Sequence, residues 1–317
     1  MAQRRPAVLL ASLLWLAASP AGATDGDRTL PSADAVDPDR FTKKVDPAYG
    51  AYQRGLYQTA LKLALEKARE GDPAAQTLAA EILARGLGVP KNEKEAAQWY
   101  RLAAEQGNPD AQFQYALLLL DGRFVDKDAK QAFALMEAAA EAGNVLAQFN
   151  LAQLLIDRDP LGQGLERAVG YYRRAAEAGL ADAQYAIARL LADGSGGLRR
   201  DEAEARRWLA LSARQNFDTA QLDLGTWMIE GRGGEKDETG GFRMLKQAAE
   251  AGNVAAQNRV AKLYLNGIGT EPDSLFAAAW YILARRAGLI DPQMEDFMNG
   301  LTDEEVRTAL IRANRLR

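Results

Sequence analysis

Apolar and polar positions along this chain repeat with one long period. Ala-Gln pairs stand at Ala75-Gln76, Ala111-Gln112, Ala147-Gln148, Ala183-Gln184, Ala220-Gln221 and Ala256-Gln257, at steps of 36, 36, 36, 37 and 36. A bulky column of Trp99, Leu135, Tyr171, Trp208, Met244 and Trp280 keeps the same period and the same slip. A third column holds Gly71, Gly107, Gly143, Gly179, Asn216, Gly252 and Gly288. Three columns with one shared period and one shared irregularity mark an array of repeats, each packing mainly on its neighbours.

Each column predicts a local element. A helix that stops and hands over within two residues ends on a residue with positive φ, which Gly adopts freely and Asn tolerates. Gly71, Gly107, Gly143, Gly179, Asn216, Gly252 and Gly288 are therefore the joints between hairpins. Asp72, Asn108, Asn144 and Asn253 follow as N-caps, and Pro73 and Pro109 fall at the first helical position. The first helix of each hairpin carries the Ala-Gln pair and ends near Gly86, Gly122, Gly194, Gly231 or Gly267, with Arg158 as the exception. The second carries the bulky column, expected to fill the space between layers, and then small pairs such as Ala103-Ala104 and Ala139-Ala140, which let helices approach closely. At the last repeat the pair becomes Ala284-Arg285, which suggests a helix with less neighbour to pack on. The extra residue of the fourth repeat falls in the loop "DGSGGLRRDE".

Composition agrees with close-packed helices. Hydrophobic residues make up 48% and aromatics 8%, with alanine and leucine abundant. The formal charge is −4 and no long basic run occurs, so nucleic acid is not an indicated partner. The chain has no Cys and no His, which removes thiolate nucleophiles, disulfides and the usual metal ligands together. No metal site and no cofactor is implied.

The ends read differently from the array. Arg4 and Arg5, the apolar run from Ala7 to Ala18 and the small residues Ala21-Gly22-Ala23 form an export signal over 1–23. The apolar run is too short to span a bilayer. Cleavage after Ala23 leaves Thr24 first, with no lipid-attachment Cys and no stable membrane insertion. Residues 24–45 are polar and aperiodic, as in a flexible leader. Residues 46–71 form a shortened first hairpin of a repeat region spanning 46–289. In 290–317 Thr302 and Glu305 make a capping box for a last helix, and this polar helix pair is expected to close the array.

The elements "AQ…LA…L…G.G" and "A..WY..AAE.G", best seen in "AAQTLAAEILARGLGVPKNEKEAAQWYRLAAEQGN", resemble the Sel-one-like repeat (SLR), a relative of the tetratricopeptide repeat. The resemblance covers about residues 46 to 289 and is weakest in the third repeat. It implies an all-α, right-handed α/α superhelical solenoid of about six full hairpins, a partial N-terminal hairpin and a capping pair. It also implies a non-catalytic adaptor or regulator that binds a protein in the bacterial cell envelope, periplasmic or secreted, in signalling or in envelope or polysaccharide assembly.

Few residue patterns in the chain point to chemistry. Neither Ser-x-x-Lys nor Gly-x-Ser-x-Gly occurs, and there is no phosphate-binding Gly-rich Lys motif or calcium loop. A cell-wall hydrolase needs a separate cleft-bearing domain, for which the residues after the last repeat are too few. Binding of peptidoglycan or another envelope glycan is the alternative reading, and its cysteine-rich precedents among SLR relatives transfer weakly to a chain without Cys. The residue after each Ala-Gln pair includes Phe113, Phe149 and Tyr185, with Leu117, Gln153 and Arg189 one turn further on. First helices line the concave face in this family, so these six residues either form a partner-binding groove or pack between hairpins.

Overall fold

The computed structural model describes residues 46–159 and 163–316, and the signal and leader readings over 1–45 lie outside them. Among the described residues every regular element is an α-helix, sixteen in all, and consecutive helices pack as pairs. A short pair opens the array, α1 (Pro47–Gln53) and α2 (Tyr57–Arg69). Six full hairpins follow: α3 (Pro73–Arg85) with α4 (Glu93–Glu105), α5 (Pro109–Asp121) with α6 (Ala129–Glu141), and α7 (Val145–Arg158) with α8 (Gly164–Glu177). Then come α9 (Ala181–Asp193) with α10 (Glu202–Arg214), α11 (Asp218–Glu230) with α12 (Glu238–Glu250), and α13 (Val254–Asn266) with α14 (Ser274–Arg286). The shorter α15 (Pro292–Asn299) and α16 (Asp303–Arg315) end the chain.

The joints use the backbone conformation that their residue types favour. All seven have positive φ, Asn216 at 63° among them. The side chains of Asp72, Asn108, Asn144 and Asn253 each accept a hydrogen bond from the first turn of the next helix. A second row of caps, Asn92, Asp128, Asp201, Asp237 and Asp273, does the same for the second helices. In the loop two residues after the first-helix C-cap, Gly88, Gly233 and Gly269 have positive φ, and Phe124 takes the matching place with φ 68°. A bulky residue there is a backbone outlier, and Phe124 is also 44% exposed, with the Arg123 guanidinium 5.2 Å from its ring centroid.

The glutamines of the Ala-Gln pairs have a single task. Each Nε2 donates to a carbonyl eight residues earlier, at the end of the preceding second helix, from Gln76 to Ala68 at 3.1 Å through Gln257 to Ala249 at 3.3 Å. The amide thus adds a second donor to a carbonyl that already accepts the joint residue's N–H, from Gly71 to Ala68 at 3.1 Å through Gly252 to Ala249 at 3.1 Å, and ties the two helices across the joint. In two repeats the amide oxygen is also filled: Gln106 donates to Gln76 at 2.8 Å and Gln215 to Gln184 at 2.9 Å. Ala178 stands where the third repeat would need that donor, and Gln148 Oε1 is buried without a partner among the described residues. Ala178→Gln is expected to raise stability by about 0.5–1.5 kcal/mol by supplying the bond. A melting temperature unchanged or lowered in that variant would contradict this reading.

Two expectations about packing need correction. The bulky column from Trp99 to Met244 is only half-buried; the fully enclosed column is the next residue along, Tyr100, Met136, Tyr172, Leu209, Leu245 and Tyr281. On a helix adjacent positions lie about 100° apart, so one of two neighbouring apolar columns must face the rim. Nor is α14 short of neighbours. Ala277 to Ala284 are all buried, because α16 packs across α14 through Ala309 and Ala313. Arg285 turns outward to Glu295 of α15 at 3.2 Å. The outer side of α16 is not wholly polar either, since Leu310 and Ile311 are exposed.

Asp291 fastens the last pair to the array. Its carboxylate caps α15 at Met294 and accepts from Asn258 at 2.9 Å, and it pairs with Lys262 of α13. Burial alone would raise its pKa, but the hydrogen bonds from Lys262 and Asn258 outweigh burial and hold it below the ordinary 3.8. A lowered folded-state pKa gives stability that is complete above 3.8 and is lost as pH falls through the lowered value. Asp291→Asn should therefore flatten the acid limb of the stability–pH curve, measured by denaturant unfolding at a series of acidic pH values. An unchanged limb would remove Asp291 from acid stability.

Candidate functional site

The six residues singled out from sequence divide in the structure. Phe113 is 3% exposed and belongs to the core, so it offers no surface to a partner. Phe149 packs on Tyr172 with ring centroids 5.5 Å apart, and Tyr185 packs on Phe217 at 5.3 Å. The Tyr185 hydroxyl donates to Asp223 Oδ2 of the next first helix at 2.9 Å. Burial is the main cause that holds this hydroxyl above its usual pKa, with Asp223 adding to it. Tyr185 thus joins its hairpin to the next through Phe217 and Asp223, whereas Phe149 packs on the second helix of its own hairpin. Leu117 and Gln153 are half-buried, and the Arg189 side chain is 55% exposed. Arg189 Nη1 lies 3.3 Å from Tyr185 Oη and 3.8 Å from Asp223.

A different set of positions faces solvent. Counted from the pair's glutamine, the second, fifth, sixth and ninth residues follow i, i+3, i+4, i+7 spacing and share one helix face. On α5 these are Gln114, Leu117, Leu118 and Asp121; on α7, Asn150, Gln153, Leu154 and Asp157; on α9, Ala186, Arg189, Leu190 and Asp193. Every one of these residues is half-buried or exposed. Leu118, Leu154 and Leu190 rest on the core with one side open. The matching residues in flanking repeats, Ile82, Trp227 and Leu263, are buried. Trp227 is covered by the Arg232 guanidinium at 3.9 Å. The open leucines therefore define a face three hairpins wide, on α5, α7 and α9. Leucine and acid at the sixth and ninth positions were readable from the same lattice as the aromatics, and sequence reasoning missed them.

The face combines leucines with amides and carboxylates. Among the described residues no cluster of Asp or Glu is arranged to hold a metal ion. A surface cleft of about 560 Å³ lies beside the loop before α10 and is lined by Arg173, Arg199 and Arg200 with Asp201, Glu202 and Glu204. Its charges largely neutralise each other, Arg200 on Glu202 and Arg173 at 3.9 Å from Glu204. Another, about 280 Å³, is a gap beside the joint at Gly252, lined on one side by Leu316. None of the described helices is long and apolar enough to cross a membrane.

Known proteins place this architecture. No curated protein matches the chain significantly. A Sel1 repeat protein from Oxalobacter formigenes has a similar structure, with TM-score 0.65 and 27% identity over 78% of this chain and 100% of that one. A protective antigen of uropathogenic Escherichia coli, c5321, displays an SLR fold and is similar at TM-score 0.53 and 26% identity, over 81% of this chain and 63% of that one. The Sel1 repeat itself matches six segments: 73–108, 109–144, 145–180, 181–217, 219–253 and 254–289. With the repeat matched over most of its length and the same solenoid in its structural relatives, this chain belongs to the Sel1 repeat family.

Proposed function

We propose that the chain is a non-catalytic adaptor or regulator in the bacterial cell envelope and that the open face of α5, α7 and α9 seats its protein partner. Sel1 repeats generally mediate protein–protein interaction and are typically non-catalytic scaffolds. The observation that carries the assignment to this face is the run of half-exposed leucines, Leu118, Leu154 and Leu190, open in three consecutive repeats and shut in the flanking ones. Contiguous apolar surface of this kind marks interaction sites. The envelope location rests on the export signal read over 1–23, and the periplasmic or secreted protein should begin at Thr24 by mass spectrometry. Met1 recovered intact in a membrane fraction would contradict it. For the face itself, Leu118→Lys with Leu190→Lys should abolish recovery of the partner in a crosslinking pull-down from native envelope, with the fold intact by circular dichroism. Partner recovery equal to wild type would move the site elsewhere.

A further inference from the structure

Resting on that reading, we infer that the face is built for a helical segment of a partner protein that carries apolar residues flanked by a Lys or Arg at about every seventh position. The leucine row supplies the apolar floor, and the row beside it decides the charge. The ninth position after each pair's glutamine is Asp121, Asp157, Asp193 and Glu230 in four consecutive repeats. All four are exposed, and each is the last or next-to-last residue of its helix. Their charges therefore add to the negative ends of four first helices.

Two of these acids are paired, Asp121 with Arg123 at 3.3 Å and Glu230 with Arg259 at 3.3 Å. Asp157 and Asp193 have no ion pair among the described residues. Second helices also end on acids, but most of those are answered: Glu105 by Arg101 at 3.0 Å, Glu141 by Arg174 at 3.1 Å and Glu250 by Lys246 at 3.7 Å. Arg189, the one base at these face positions on α5, α7, α9 and α11, is turned to Tyr185 and Asp223. A cationic partner thus finds the two middle acids of the row, Asp157 and Asp193, without an ion pair of their own among the described residues.

Spacing selects the partner's conformation. The first helices recur once per hairpin, at roughly 10 Å by the usual spacing of stacked helices, so the acids recur at about that interval. In a helix about seven residues cover that distance, two turns that return to the same face. In an extended strand about three residues cover it, and successive bases would point to opposite sides. Of these two, the helix sets every base over an acid while its apolar residues stay on the leucines.

The test uses the full chain and two labelled helical peptides of about three heptads with identical leucine faces. One has Lys and the other Glu at every seventh position, and binding is read by fluorescence anisotropy at low salt. The Lys peptide should bind about tenfold or more tightly than the Glu peptide, with affinity falling as salt rises. Asp157→Asn with Asp193→Asn should remove most of that preference without lowering the melting temperature, while Glu105→Gln with Glu177→Gln should leave it unchanged. Equal binding of both peptides, no binding of the Lys peptide, or an equal loss in the control pair would overturn the inference. Partner recovery in the pull-down is independent of these peptides, so the adaptor reading can stand if the peptide preference fails.

Discussion

Gly269→Ala should destabilise the protein by about 3 kcal/mol or more, whereas Gly143→Ala should cost only about 1–2 kcal/mol. Both glycines have positive φ, 71° and 93°, so both lose backbone freedom to a Cβ. They differ in what the Cβ would meet. At Gly143 there is open space, and the cost is conformational alone. At Gly269 the new atom would lie 2.2 Å from the Glu238 carbonyl oxygen and 2.9 Å from Phe242 Cβ, so the loop must leave the start of α12. A backbone carbonyl cannot rotate away as a side chain can. Urea unfolding of the two variants measures the difference. Similar losses would mean that the joints, not the loop-to-helix contacts, set the stiffness of the stack.

Trp280→Ala should be of comparable size, about 3–5 kcal/mol, and Trp280→Phe clearly smaller. Trp280 is fully enclosed in α14 under α16, and its indole Nε1 donates to nothing among the described residues. Alanine would open a cavity under the terminal helix. Phenylalanine keeps most of the volume and removes a buried donor that has no acceptor, so part of its packing loss is offset. Equilibrium unfolding followed by tryptophan-independent far-UV circular dichroism separates the two. Equal losses would show that the indole N–H finds a bridging water and contributes to stability.

The period of the chain was plain in its letters because each hairpin needs the same stop, cap and small-residue contact. Gly71 to Gly288 and even Asn216 could be placed from that need alone, and their positive φ follows from it. The choice between Trp99 and Tyr100 as the buried member could not. Both are large, both lie at the edge of the apolar stripe, and the neighbouring repeat decides which turns inward. Phe113 and Tyr185 share a column, yet Phe113 is buried while Tyr185 keeps a hydroxyl bond to Asp223, a partner found 38 residues away. Such a pairing is a property of stacking, not of local pattern. Phe124 takes a conformation that suits glycine because it stands where other repeats carry one, so its own residue type gives no hint of it and only its place in the lattice does.

The leucine and acid rows were legible in principle, since Leu118, Leu154 and Leu190 keep the 36-residue step as faithfully as the glutamines do. What the letters withhold is exposure. Ile82, Trp227 and Leu263 continue the same row and are buried, so only the folded stack shows that three repeats are open.

The claim that this open face is where the protein engages its partner is tested most directly by site-specific photo-crosslinking in cells. A crosslinking residue in place of Leu154 on α7, compared with one in place of the exposed Glu177 on α8, probes the two sides of a single hairpin. The account predicts a discrete protein adduct from position 154 that the Leu118→Lys, Leu190→Lys background removes, and none from 177. An adduct from 177 with none from 154 would contradict it.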